Sequence, residues 1–279
     1  MKVNFGGIVP LSTVDWPGRA VMVVFLRGCP LCCPHCHNQL LQTGEHLVSL
    51  HTISSRIVSE VKGLPVGSLA RSGFEPSLQI DLEDASERAS SKPFVDALVL
   101  SGGEPFLQVE ACRRLFRLAR SLKLATGIET SGCFPNGLEW LLEKGLVDKV
   151  FLDIKSALME PDYEKATGRA GMAARVAESL SICFKSKVAF DVRCTIFPGM
   201  PTVSQLVDIA ETVCRLKGQY PDNRMGCMLL QQGTPREGES RFEPVTEQAL
   251  QEMARACEIN CGTKLDFSIR AVPKISWKN

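Results

Sequence analysis

Residues 21–36 read VMVVFLRGCPLCCPHC. The first six are an unbroken apolar run rich in Val, with the length and composition of a strand buried on both faces. Ala20–Leu26 is the longest apolar run in the chain, and its seven residues fall far short of the roughly 20 that span a bilayer. Runs of the same kind recur at Ala97–Leu100, Val150–Ile154, Val188–Val192 and Met228–Leu230, with a weaker one at Leu124–Ile128 and a last one at Phe267–Val272. Between them lie segments with helical spacing, at Ile53–Val61, Gln108–Leu122, Asn136–Lys144, Ala173–Phe184, Thr202–Leu216 and Thr246–Cys257. This alternation predicts an α/β fold with parallel strands and right-handed crossovers. About six β–α units are fewer than the eight of a closed barrel, so the expected architecture is a partial, open (β/α)6 TIM-type barrel.

One domain over residues 1–279 is expected, with residues 233–279 as a C-terminal extension completing the barrel edge. Residues 64–93 are rich in Ser, Gly, Pro and charge without sustained period, and read as a surface insertion or disordered loop. The chain has 279 residues, 44% apolar and 23% charged, with a net charge of +1. That balance argues against wholesale disorder and against a strong electrostatic nucleic-acid binder. The N-terminal residues have no apolar signal-peptide core, so a cytoplasmic protein without a membrane partner is expected.

Twelve cysteines are too few for a secreted disulfide scaffold of this length. Four of them, Cys29, Cys32, Cys33 and Cys36, fall within eight residues directly after the first predicted strand. In a parallel barrel that is the mouth where chemistry is placed. Cys29, Cys33 and Cys36 give C-x3-C-x2-C; the pairs Cys29/Cys32 and Cys33/Cys36 each give C-x2-C. A structural zinc site needs four tetrahedral ligands, commonly from two separated knuckles, and here the knuckles abut. A redox dithiol is a second reading, but it would not use four thiols. An iron–sulfur cluster is the third.

The three-cysteine spacing resembles the signature of the radical S-adenosylmethionine (SAM) superfamily. The resemblance implies a [4Fe–4S] cluster held by Cys29, Cys33 and Cys36, whose fourth iron binds SAM. Reductive cleavage of SAM then gives a 5′-deoxyadenosyl radical. The position before the last cysteine, commonly aromatic in the superfamily, is His35, and Cys32 is an extra thiol outside the spacing. Ser101-Gly102-Gly103-Glu104-Pro105, after the second strand, matches the family's GGEP motif and implies that Gly102, Gly103 and Glu104 receive the SAM amino group. By themselves, two glycines after a buried strand allow close backbone approach to a ligand.

Further polar residues end later strands: Thr130 in Glu129-Thr130-Ser131-Gly132, Asp153 and Lys155, Arg193, and Gln231. They resemble the SAM-contacting positions of glycyl-radical enzyme activases, with His35 and Asn38 completing the cofactor-binding set. Glu129 and Asp153 resemble that group's monovalent-cation site. Gly7 through Gly18, with the Cys36-His37-Asn38 ending, look like anaerobic ribonucleoside-triphosphate reductase activating proteins; the ending is also similar to pyruvate formate-lyase activating enzymes. The partners so implied are a glycyl-radical enzyme and a flavodoxin or ferredoxin electron donor. A radical SAM enzyme acting on a small molecule or RNA, of the deazapurine synthase type, and a non-catalytic zinc-binding protein are the alternatives. The other eight cysteines read as small apolar residues.

Overall fold

The computed structural model describes residues 1–63, 94–235, 242–261 and 265–271. The predicted insertion at 64–93 and parts of the 233–279 extension lie outside the described residues. The strands are β1 (Lys2–Ser12), β2 (Val21–Leu26), β3 (Leu47–Ser49), β4 (Ala97–Gly102), β5 (Ala125–Thr130), β6 (Lys149–Asp153), β7 (Ala189–Ile196), β8 (Met225–Gln232) and β9 (Phe267–Arg270). The helices are α1 (Gln39–Gln42), α2 (Leu50–Lys62), α3 (Val109–Ser121), α4 (Pro135–Glu143), α5 (Asp162–Thr167), α6 (Met172–Lys185), α7 (Val203–Gln219) and α8 (Glu247–Asn260). Every strand and helix read from periodicity is present. The short elements β3, α1 and α5, and the long strand β1, were not read from the sequence.

The chain falls into two compact units, one of residues 1–29, 40–129 and 141–148, the other of residues 30–39, 130–140 and 149–279. In the first unit the strand order is β3-β1-β2-β4-β5. β2, β4 and β5 are parallel neighbours, whereas β1 pairs antiparallel with both β2 and β3. β2 and β4 are buried almost throughout, as strands covered on both faces must be. α3 turns Ala111, Cys112, Leu115, Phe116 and Ala119 inward at helical spacing. α2 starts on Ser49, whose side chain accepts from the Thr52 N–H, and stops at Gly63 in the left-handed region.

In the second unit β6, β7, β8 and β9 are parallel and adjacent in that order. α7 opens with a capping box between Thr202 and Gln205, and α8 with Thr246 accepting from the Ala249 N–H. An ion pair joins β6 to β7, from the half-buried Lys149 Nζ to the buried Asp191 Oδ2 at 2.7 Å. Six of the eight remaining cysteines are buried, and Cys227 and Cys261 are half-buried. Burial pushes the Cys183 thiol up to about 12 and raises those of Cys112 and Cys194, which keeps them protonated and unreactive.

One junction in the first unit positions Cys29, the first cysteine of the loop. Parallel pairing puts Leu26 beside Gly102, so the ends of β2 and β4 leave the sheet together. Gly103 donates its N–H to the Leu26 carbonyl at 2.9 Å, and Glu104 donates to the Gly28 carbonyl at 2.8 Å. Gly28 and Cys29 donate in turn to the Leu41 and Gln42 carbonyls at 2.7 and 3.0 Å. Gly102 has φ +126°, and a Cβ there would overlap the Leu26 backbone; one on Gly103 would overlap the Gly28 carbonyl. The glycines are therefore required for close approach to backbone.

Gly103→Ala is expected to destabilise the chain by about 3 kcal/mol or more, because no side-chain rotation can relieve a clash with backbone. Gly218, in α7 with open space at its Cβ, gives the opposite sign: Gly218→Ala should stabilise by about 0.5 kcal/mol. Urea unfolding midpoints of the two variants measure both.

Candidate functional site

None of the four loop cysteines is in a disulfide; Cys29, Cys33 and Cys36 are half-buried, and Cys32 is exposed. Leu31, only 1% exposed, anchors the loop in the core. Cys36 donates its N–H to the Cys33 carbonyl at 3.2 Å, a turn that folds the x2 spacing back on itself. Cys32 is held by its backbone: its N–H donates to the Thr167 carbonyl at 2.7 Å, at the end of α5. A Cβ on the next residue, Gly168, would come within 2.9 Å of the Cys32 carbonyl oxygen. Its side chain thus points to solvent while the other three are partly covered.

Asp153 and Lys155, where β6 leaves the sheet, form an ion pair at 3.3 Å. Burial opposes the Lys155 charge, but Asp153 and the Cys33 and Cys36 thiols outweigh it and raise the Lys155 pKa, so the ammonium persists at neutral pH. The Cys33 thiol is pushed up by burial, while Lys155 pulls it down in part. The structure therefore brings Cys33, Cys36, Asp153 and Lys155 into one electrostatic group.

The other predicted site residues sit as follows. Glu104 is fully buried, and its carboxylate accepts from the Phe106 N–H at 3.2 Å, capping the 3-10 turn at Pro105–Gln108. Gln108, at the far end of that turn, donates from Nε2 to the Arg27 and Asn4 carbonyls at 3.1 and 2.9 Å. Glu129 accepts from the Ser101 hydroxyl at 2.6 Å. Thr130, 2% exposed, accepts through Oγ1 from the Gly132 N–H at 3.0 Å. Arg193 is buried with its guanidinium carbon 4.0 Å from the Phe151 ring centre, a cation–π contact. Gln231 Oε1 accepts from Arg270 at 3.1 Å. Asn38 is half-buried.

Sequence reading missed two features of the second unit. One is Arg270, on β9, a strand that the apolar pattern gave but to which no site residue was assigned. The other is an aromatic group in which His35 stacks on Phe197. The only signal for the latter was the ring at position 35 itself. Among the described residues, no group of three or more His, Cys, Asp or Glu converges as a single-ion site. Thiolates bound to separate irons of one cluster need not converge on a point. Among the described residues, no helix is long and apolar enough to cross a membrane.

The family described as the radical SAM superfamily matches residues 23–213, which takes in parts of both units. A protein of Methanocaldococcus jannaschii named as a glycyl-radical enzyme activating enzyme is 29% identical over 215 residues, 76% of each chain. The pyruvate formate-lyase 2-activating enzyme of Escherichia coli is 29% identical over 63% of this chain and 61% of its own. The pyruvate formate-lyase-activating enzyme of Listeria monocytogenes is 30% identical over 56% of this chain and 55% of its own. Among solved structures, SuiB of Streptococcus suis bound to precursor peptide SuiA has a TM-score of 0.61 at 12% identity, covering 90% of this chain and 48% of that one. TYW1 with a lysine-pyruvate adduct bound has a TM-score of 0.55 at 15% identity, covering 86% and 74%. At such identities the structural likeness shows the fold alone, the α/β barrel type expected from the strand–helix alternation.

Of the three readings of the thiols, the family match selects the iron–sulfur one, and brings with it a [4Fe–4S] cluster and SAM as cofactors. The donor set fits: soft thiols in one loop outside any disulfide, three of them half-buried, with the Lys155 ammonium opposing the burial that raises Cys33. By sequence, fold and donor chemistry together, the chain belongs to the radical SAM superfamily.

Proposed function

We propose that the chain is a glycyl-radical enzyme activase whose target is an anaerobic ribonucleoside-triphosphate reductase. The observation that carries the reading is the C-x3-C-x2-C loop ending in His37-Asn38, in a chain whose relatives are named as glycyl-radical and pyruvate formate-lyase activating enzymes. The reductase is assigned as target on the resemblance of Gly7–Gly18. In this reading Cys29, Cys33 and Cys36 hold the cluster. The exposure of Cys32 and the hold on its backbone support leaving it out. When bound, the cluster and SAM supply a one-electron cleavage whose 5′-deoxyadenosyl radical takes hydrogen from a glycine of the partner.

The chain's own part is binding, orientation and exclusion of water. Lys155, kept cationic, offsets the negative charge gathered on Cys33 and Cys36 and offers a donor to a carboxylate. Arg193, planar and held against Phe151, is suited to a carboxylate in a fixed orientation. We assign Asp153 and Thr130 to the ribose hydroxyls of SAM, the Gly102–Glu104 turn to its amino group, and Glu129 with Asp153 to a monovalent cation. His35, Asn38 and Gln231 complete the cofactor-binding set. A flavodoxin or ferredoxin is the proposed electron donor.

Anaerobic reconstitution, chemical reduction and an assay of 5′-deoxyadenosine release from SAM test the chemistry. Wild type and Cys32→Ala should release it at rates within about twofold of each other, and Cys33→Ala should lose at least about a hundredfold. Adding the reductase should produce the doublet electron paramagnetic resonance signal of a glycyl radical. Deoxyadenosine release without that signal, on either the reductase or a pyruvate formate-lyase, would contradict the activase reading and leave the small-molecule or RNA alternative.

A further inference from the structure

The residues on both sides of Cys36 rest on one aromatic ring. His35 stacks on Phe197 with ring centres 4.6 Å apart and planes 23° from parallel. His37 tilts onto the same ring at 6.0 Å. Phe242 closes the group edge-on, 5.6 Å from His35 and 5.7 Å from Phe197. These separations lie in the range where aromatic rings attract beyond simple burial.

Phe197 is itself fixed. It follows the last residue of β7, is 9% exposed, and exchanges backbone hydrogen bonds of 2.8 and 3.1 Å with Met200 across a tight turn. Behind the ring, Gly233 donates its N–H to the Ile196 carbonyl at 2.8 Å. A Cβ at position 233 would overlap the Phe197 ring, so this glycine is what leaves the ring its place. A rigid ring on the β7 end thus carries the two neighbours of Cys36, more than 150 residues away in sequence.

We propose that Phe197 is a positioning residue for the cluster-binding loop: through His35 and His37 it fixes where the chain presents Cys36, with Phe242 at its edge and Gly233 behind it. The inference rests on Cys36 being an iron ligand but not on the identity of the partner. A positioning ring should matter most to retention of iron, because a loop free to move releases metal faster than one held in place.

The test compares wild type with Phe197→Leu, Phe197→Tyr and Gly233→Ala, each reconstituted anaerobically. The readout is the rate at which an iron chelator strips the cluster, with the thermal midpoint of each iron-free chain measured alongside. Phe197→Leu and Gly233→Ala should lose iron about two- to tenfold faster, and Phe197→Tyr should match wild type. The iron-free midpoint should fall modestly in Phe197→Leu and Gly233→Ala and hold in Phe197→Tyr, and the apparent KM for SAM in the deoxyadenosine assay should rise more than kcat falls. Wild-type iron loss from Phe197→Leu, or a fall in midpoint that Phe197→Tyr fails to restore, would overturn the proposal. If Phe197→Leu does not fold, Gly233→Ala decides on the same criterion. A wild-type protein that holds a cluster but activates no partner would defeat the activase reading and leave this result standing.

Discussion

Backbone pressed against backbone at the ends of β2 and β4 is the contact on which the start of the cysteine loop depends. Leu26 and Gly28 accept from Gly103 and Glu104, and Gly28 and Cys29 donate onward to Leu41 and Gln42. No side chain fits between these strands, so the two glycines are fixed by sterics before any ligand enters the argument. The rest of the SGGEPFLQ segment serves the same junction. Glu104, fully buried, caps the turn that follows, and Gln108 at the end of that turn reaches back to the Arg27 carbonyl. Position along the chain thus turns into position in space for Cys29 through its backbone.

The remaining thiols of the motif are governed by a different kind of interaction. Burial alone would keep Cys33 protonated, and a buried thiol is a poor metal ligand until it ionises. Lys155 works against that, and Asp153 keeps the ammonium charged and in place. Metal binding must displace the thiol protons, so a cation held beside Cys33 and Cys36 lowers the cost of loading. The aromatic group around His35 adds mechanical restraint to this electrostatic bias. Charge and shape are thereby supplied by separate residues, and each can be altered alone.

Much of this was legible in the sequence because parallel strands buried on both faces are continuous apolar runs, and amphipathic helices such as α3 carry their period openly. β1 was missed for physical reasons. Its burial alternates only as far as Phe5. Gly6, Gly7 and Pro10 then interrupt it, and its pairing with β2 shifts register between Phe5 and Gly7 and between Val9 and Ser12. α5, six residues long, is too short for a helical period to emerge. The cysteine spacing was legible because local chemistry fixes it. The Phe197–His35 stack was not, since nothing local in either residue announces a partner at that separation. The close approach to backbone expected of the glycine pair is present, Gly102 against Leu26 and Gly103 against Gly28 and Leu41, and which backbone they would meet was not legible in the sequence.

The central claim is that three of the four loop thiols, and not the exposed fourth, hold a four-iron cluster. A count of iron and acid-labile sulfide per chain, after anaerobic reconstitution of wild type and of single Cys→Ser variants at positions 29, 32, 33 and 36, tests it most directly. Wild type and Cys32→Ser should hold about four of each, with marked loss in the other three variants. A single zinc without sulfide, or a Cys32→Ser chain that fails to hold its iron, would contradict it.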